Sequence, residues 1–240
     1  MTRGGLLCGA CFLLVAGAAS AQDVLAESER YMAQPNLVRP GLGEDPGVPS
    51  GAPLRLPAGV AVSAPILGVE DPAECAGAAH GSGYNVLVCL PLCNATAAPA
   101  RVRLPAGLTV VSKSASRYQN GILLEEVVID VPPTPCGPGG IPIDEDPEEL
   151  EARGGPPRVA SAFQVALNLF CLNEERAPSE TRLPYALGAV TDDSDLLDLI
   201  ARVRGRELDE EEAGILQTAI YSITEGRGLT PADRAALAAL

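Results

Sequence analysis

Lysine and histidine each occur once in the 240 residues, at Lys113 and His80, and tryptophan not at all. A lone histidine, with no Cys-x-x-Cys pair beyond Cys11, excludes a zinc site of familiar ligand spacing. Acidic residues outnumber basic ones 31 to 17, for a formal charge of −14. That balance repels nucleic acid and anionic membrane surfaces, and no basic patch is interleaved with aromatics. The chain also lacks a phosphate-binding glycine loop and the Gly-x-Ser-x-Gly elbow of a serine hydrolase, although Gly81-Ser82-Gly83 lies beside His80. Asp144, Glu145, Asp146, Glu148 and Glu149 lack the alternating ligands and turn glycine of an EF-hand, and read as a solvated acidic loop. No catalytic residue, cofactor or metal is therefore expected.

What is present begins with a targeting pattern. Residues 1–21 read as a secretory signal: Arg3 gives the positive start, residues 6–15 the apolar core, and Ala19-Ser20-Ala21 the cleavage site before Gln22. The apolar run is too short for a bilayer helix, so no membrane span is expected. Cys8 and Cys11 lack the upstream Leu of a lipoprotein signal. Cleavage leaves 219 residues (240 minus 21) and a charge of −15 (−14 less Arg3), a secreted or periplasmic protein. The bias to Arg, Ala, Gly and Pro over Lys marks a GC-rich bacterial genome. On that view Asn94-Ala95-Thr96 is a chance match to a glycosylation site.

Five cysteines follow the signal: Cys75, Cys89, Cys93, Cys136 and Cys171. Export implies disulfides, and an odd count leaves at least one thiol free, paired between chains or used chemically. Any four allow three pairings. Cys89 and Cys93 share strand parity, with Pro91 between them.

Residues 22–65, rich in Pro, Gly and Ala, read as a flexible linker. Arg55-Leu56-Pro57-Ala58-Gly59 recurs as Arg103-Leu104-Pro105-Ala106-Gly107, each before an apolar stretch. Residues 66–183 carry β signals. Tyr84, Val86, Val88 and Leu90 alternate, and Val102, Leu104, Leu108 and Val110 continue across a turn or bulge. Asn120-Gly121 predicts a tight turn, and the run over 122–131 blurs at Glu125 and Glu126. The clearest strand is 159–171, with Val159, Phe163, Val165, Leu167, Leu169 and Cys171 on one face. Short strands divided by turns predict a mainly antiparallel β-sandwich.

Residues 184–240 are expected as a helical cap, giving an α+β layout. Leu196, Leu197, Leu199, Ile200 and Val203 have helical spacing before Gly205. Asp209, Glu210, Glu211 and Glu212 open a second helix with Ile215, Leu216, Ala219, Ile220 and Ile223 as its stripe. Thr230-Pro231-Ala232-Asp233 caps a third.

One constellation is sharper. Phe170-Cys171-Leu172-Asn173 ends the best strand, and Leu216-Gln217-Thr218-Ala219-Ile220-Tyr221 lies in the second helix. The pair resembles bacterial surface thioester domains, where an aromatic-Cys motif on a β-sandwich meets a Gln-x-Ala-Ile/Val-Trp motif on a helix. The resemblance implies that Cys171 attacks the Gln217 amide, ammonia leaves, and the thioester acylates an amine on a target surface. The odd cysteine count fits it, because Cys75, Cys89, Cys93 and Cys136 could pair and leave Cys171 free; otherwise Cys171 reads as a buried core residue or a disulfide half. The chain departs from that pattern at Leu216, which stands for Thr, and at Tyr221, which stands for Trp. Only 45 residues lie between Cys171 and Gln217.

From residues alone, the expectation is an exported, non-enzymatic bacterial envelope or extracellular protein. It acts as a binding or structural module toward an extracytoplasmic protein or surface ligand. The alternatives are a thioester-type covalent adhesin using Cys171 and Gln217, and a hydrolase of unrecognised type. Contact between Cys171 and Gln217 is required by the adhesin and not by the binding module.

Overall fold

The computed structural model describes residues 39–75, 79–136 and 162–240. The expected signal, the acidic loop from Asp144 and the start of the 159–171 strand lie outside these.

Eleven strands are present among the described residues: β1 Gly51–Pro53, β2 Val60–Val62, β3 Ile66–Gly68, β4 Ala79–His80, β5 Val86–Asn94, β6 Ala100–Leu104, β7 Leu108–Ser112, β8 Gly121–Ile122, β9 Val127–Val131, β10 Phe163–Cys171 and β11 Pro184–Thr191. Three helices follow: α1 Ser194–Val203, α2 Glu210–Thr224 and α3 Pro231–Ala239. β5, β3, β11, β7, β8 and β10 are hydrogen-bonded in that order, and β10 returns to pair with β5. The ring is a closed, six-stranded antiparallel barrel, to which β1, β2 and β4 add at β11, β5 and β10.

The chain is thus β-rich α+β with C-terminal helices, but the expected sandwich is corrected to a barrel. Residue alternation distinguishes inside from outside in both architectures. What decides is pairing: β5 and β10, nine residues each, use both of their edges. β5 takes β10 on one side and β2 and β3 on the other, while β10 takes β5 on one side and β4 and β8 on the other. A register shift in β11 between Leu187 and Val190 supplies a bend of the kind closure requires.

Two large apolar cores result, beside a small cluster of Val69, Cys75 and Ala166. The barrel core holds Val86, Val88, Leu90 and Leu92 of β5, Leu108 and Val110 of β7, Val165, Leu167, Leu169 and Cys171 of β10, and Tyr185 of β11. The β6–β9 ribbon adds the apolar face of Val102, Leu104, Val127, Ile129 and Val131. The opposite face of β10 carries Gln164 and Asn168 as well as Ala166, and turns fully apolar only at its end, at Phe170. Phe170, Leu172, Ile122 and Leu124 form a second core with Leu196, Leu199, Ile200, Leu216, Ile220 and Ile223 of the helices. This apolar patch at the end of β10 is what lets the helices stack on the barrel wall. Phe163, expected to be buried with the odd-numbered set, is only half-buried at the start of β10.

Two boundaries and one turn differ from expectation. Residues 184–191 form β11 rather than belonging to the helical cap. Of the expected linker, residues 39–65 are packed: Leu42 is buried, and the Arg39 guanidinium bridges Asp193 at 2.8 Å and also reaches Asp195 and the Ile223 carbonyl. Asn120-Gly121 is not a positive-φ turn, because both residues are buried and Gly121 pairs in β8.

The repeated pentapeptide forms one local structure twice. Val60 N–H donates to Pro57 O at 3.0 Å and Leu108 N–H to Pro105 O at 3.1 Å. Gly59 and Gly107 take φ of +84° and +86°, the backbone that the third position of a type II turn requires. Each turn feeds a strand, β2 or β7.

Two disulfides join Cys75 to Cys89 and Cys93 to Cys136, and Cys171 is free and buried. Among the described residues no helix is long and apolar enough to cross a membrane.

Candidate functional site at the end of strand β10

The chemistry-bearing residues gather where β10 meets α2. α2 starts at Asp209, whose carboxylate accepts from Glu212 N–H at 2.9 Å while the Glu212 carboxylate accepts from Asp209 N–H at 3.1 Å. This reciprocal cap satisfies the helix's orphan amides. Leu216, Ala219, Ile220 and Ile223 then bury the apolar stripe. Gln217 sits beside that stripe and is 3 % exposed, although an uncharged amide needs partners there.

Its partner is the backbone of Cys171. Cys171 N–H donates to Gln217 Oε1 at 2.9 Å, and Gln217 Nε2 donates to Cys171 O at 2.9 Å. Both polar atoms of the amide are thereby spent on one residue, 46 positions away. The Cys171 thiol itself is fully buried. Asn173 N–H donates to Sγ at 3.2 Å, and Sγ lies 3.2 Å from Asn173 O, where the thiol proton can be donated. Tyr221 packs against the core that holds Cys171, and its hydroxyl accepts from Asn85 Nδ2 at 3.3 Å. Burial pushes the thiol up to about 12, against the smaller opposing effects of Tyr221 and the Asn173 backbone. Burial likewise raises the Tyr221 and Tyr185 phenols, and the Cys171 sulfur adds to both shifts.

A buried amide network supports this strand end. Asn120 N–H donates to Asn173 Oδ1 at 2.7 Å, and Asn173 Nδ2 donates to Gly43 O at 2.6 Å and Gly41 O at 3.3 Å. Asn120 Nδ2 also donates to Gly41 O at 3.0 Å, and its Oδ1 accepts from Ser112 N–H at 3.0 Å. Gly43 N–H donates to Leu172 O at 2.9 Å. The N-terminal segment thus acts as a backing plate for the Cys171 loop. Asn120, Asn173 and this segment carried no functional signal in the sequence. Only the Asn type, which can donate and accept at once, hinted at buried backbone satisfaction.

The residues suggestive of a hydrolase assemble differently. Ser82 Oγ donates to Glu125 Oε1 at 2.6 Å rather than to His80. His80 and Ser82 line an open cleft of about 1150 Å³ together with Glu125, Arg204 and Arg206. A serine whose proton is given to a carboxylate oxygen, with no imidazole between them, is not an activated nucleophile pair. Among the described residues no group of three His, Cys, Asp or Glu side chains could hold a metal ion.

No family model, curated protein or solved structure matches the chain.

Proposed function

We propose that the protein is a thioester-forming covalent adhesin, exported and non-enzymatic, in which Cys171 and Gln217 are the reacting pair. The observation that carries the reading is the face-to-face placement of the Gln217 amide on Cys171, the one cysteine among the described residues that the two disulfides leave free. The chemistry balances within the chain. Cys171 Sγ attacks Gln217 Cδ, the C–N bond breaks, the thiol proton ends on the departing nitrogen, and ammonia leaves. A target amine then attacks the thioester carbon, forming an amide and returning Cys171 as a thiol.

The hydrogen bonds suit both steps. Cys171 N–H already points at the oxygen that becomes the oxyanion when Cδ turns tetrahedral, and a donor placed there in a dry site lowers the barrier. Cys171 O holds the nitrogen that departs, so the same acceptor is in place for the N–H of an incoming amine. Burial shields the bond from water, the competing nucleophile. The partner class is an amine-bearing surface, such as a lysine side chain of another protein.

A second reading is favoured by the paired hydrogen bonds of Gln217: the amide is a clamp fastening α2 to β10 in a plain binding or structural module. Intact mass separates the two. The adhesin is lighter than its mature sequence by one ammonia, gains one whole methylamine on exposure to it, and loses both behaviours in Gln217→Ala. An unmodified, methylamine-inert wild type would leave the clamp and overturn the thioester.

A further inference from the structure

The turn that follows Cys171 is aimed back at its sulfur. Asn173 N–H donates to Cys171 Sγ at 3.2 Å, and Sγ lies 3.2 Å from Asn173 O. One residue, two positions along the chain, thus offers the sulfur both a donor and an acceptor. Asn173 is fully buried and its side chain is fixed at both ends of the amide. Oδ1 accepts from Asn120 N–H at 2.7 Å, and Nδ2 donates to Gly43 O at 2.6 Å and Gly41 O at 3.3 Å. The preceding residue is fixed as well: Leu172 N–H donates to Asn120 O and Leu172 O accepts from Gly43 N–H, both at 2.9 Å. The direction of Asn173 N–H is therefore set before any reaction begins. Burial pushes the Cys171 thiol up to about 12, and the Asn173 backbone acts against that rise.

Resting on the thioester reading, we propose that Asn173 N–H is a catalytic group that stabilises the charge on sulfur as the thioester opens and forms. When an amine attacks Gln217 Cδ, the C–S bond breaks and its electron pair stays on Sγ. A thiolate released into a dry, apolar core is costly, and a fixed donor at 3.2 Å lowers that cost without reorganising. The attacking nitrogen gives up one proton, which ends on Sγ facing Asn173 O. The products are an amide and a neutral thiol. Formation of the bond runs the same path backward, with the thiol proton ending on the departing ammonia. Cys171 N–H serves the carbonyl oxygen and Asn173 N–H the sulfur, so two backbone amides on one turn divide the developing charge.

The test replaces the peptide bond between Leu172 and Asn173 by an ester, which deletes that N–H and keeps both side chains. Mass spectrometry follows opening of the mature chain by methylamine under identical conditions. Loss of one preorganised donor is expected to slow opening by roughly 10²-fold. An ester at Thr191 is the control, since it deletes a buried N–H that donates to Gly107 O at 2.9 Å and not to sulfur. It should open at the wild-type rate, which a general loss of stability would not allow. An ester at Asn173 that opens as fast as wild type overturns the role of its N–H. A wild type without the ammonia deficit overturns the thioester itself, so the two failures are distinct. Should the Asn173 ester not yield folded protein, nuclear magnetic resonance of the wild type is read in its place. The Asn173 amide proton should be protected from exchange before and after methylamine, and should shift when its acceptor changes from thioester to thiol sulfur. An amide that exchanges freely, or that opening leaves unmoved, overturns the assignment.

Discussion

The amide of Gln217 does two jobs at once, and their energies can be separated. It fills the hydrogen-bonding capacity of a buried strand end, and it supplies the carbon that the proposed bond needs. Gln217→Ala strands Cys171 N–H and C=O in the interior, and two unsatisfied buried groups cost roughly 2–6 kcal/mol. Urea unfolding of that variant against Cys171→Ser, in which the bond is likewise absent but the clamp remains, should show the loss. In chains whose thiol is free, alkali should also weaken the fold. Cys171 is raised to about 12 and both tyrosines are raised, so the folded chain holds protons that the unfolded chain gives up. Fewer protons on the unfolded state means that stability falls as pH rises. For Cys171 the decline runs from the ordinary thiol value, about 8.5, toward 12, at about 1.4 kcal/mol per pH unit. Denaturant midpoints measured at pH 8 and pH 10 should drop more steeply for Gln217→Ala than for the double variant that also carries Cys171→Ser. At this scale the pair itself was legible, because both partners sit in short motifs. The supporting asparagines were not, since Asn120-Gly121 has the composition of a turn whether it lies in one or is buried.

Among the elements, the helices were the most readable. Each has its cap in the chain: Asp193 accepting from Asp195 and Leu196 N–H, Asp209 with Glu212, and Thr230 with Asp233. Such signals are local, so they survive without knowledge of the fold. The strands were readable where β-branched and leucine residues alternate, as in β5 and β10. β11 was not, because Ala186, Gly188 and Ala189 leave little apolar contrast and a bulge breaks its period. β10 then sets two contrasting expectations. Leu167 is fully buried in the barrel core, and Leu167→Ala should cost about 2–5 kcal/mol. Phe163 is half-buried, so Phe163→Ala should fall below the 3–5 kcal/mol usual for emptying a closed aromatic site. Gly121→Ala should destabilise by about 1–3 kcal/mol, because its Cβ would lie 2.8 Å from the Leu169 Cβ and 3.0 Å from Val86 Cγ1. Chemical denaturation of the three variants checks the ranking.

For the molecule as a whole, closure of the barrel was invisible in the sequence because it depends on which edges meet. The return of β10 onto β5 joins residues more than seventy positions apart, and alternation says nothing about that pairing. The packing of residues 39–65 was hidden for a different reason. Their Pro and Gly content mimics a linker, while the contacts that hold them run through Arg39 and the backbone of Gly41 and Gly43. Cys93–Cys136 fastens β5 to the segment after β9 across 43 positions, and its reduction should lower stability by about 2–4 kcal/mol. Thermal melting with and without reductant measures this. The span from Cys171 to Gln217 has a comparable length and contains β11 and α1. A thioester across it would be an internal tether closing a 46-position loop, stabilising the fold by roughly 4 kcal/mol on the chain-entropy account. Capture of an amine cuts that tether and ties the same carbonyl to the target instead. The molecule would work as a fuse: the strength gained in the joint to its target is withdrawn from its own frame, and the fastened protein should melt several degrees below the armed one.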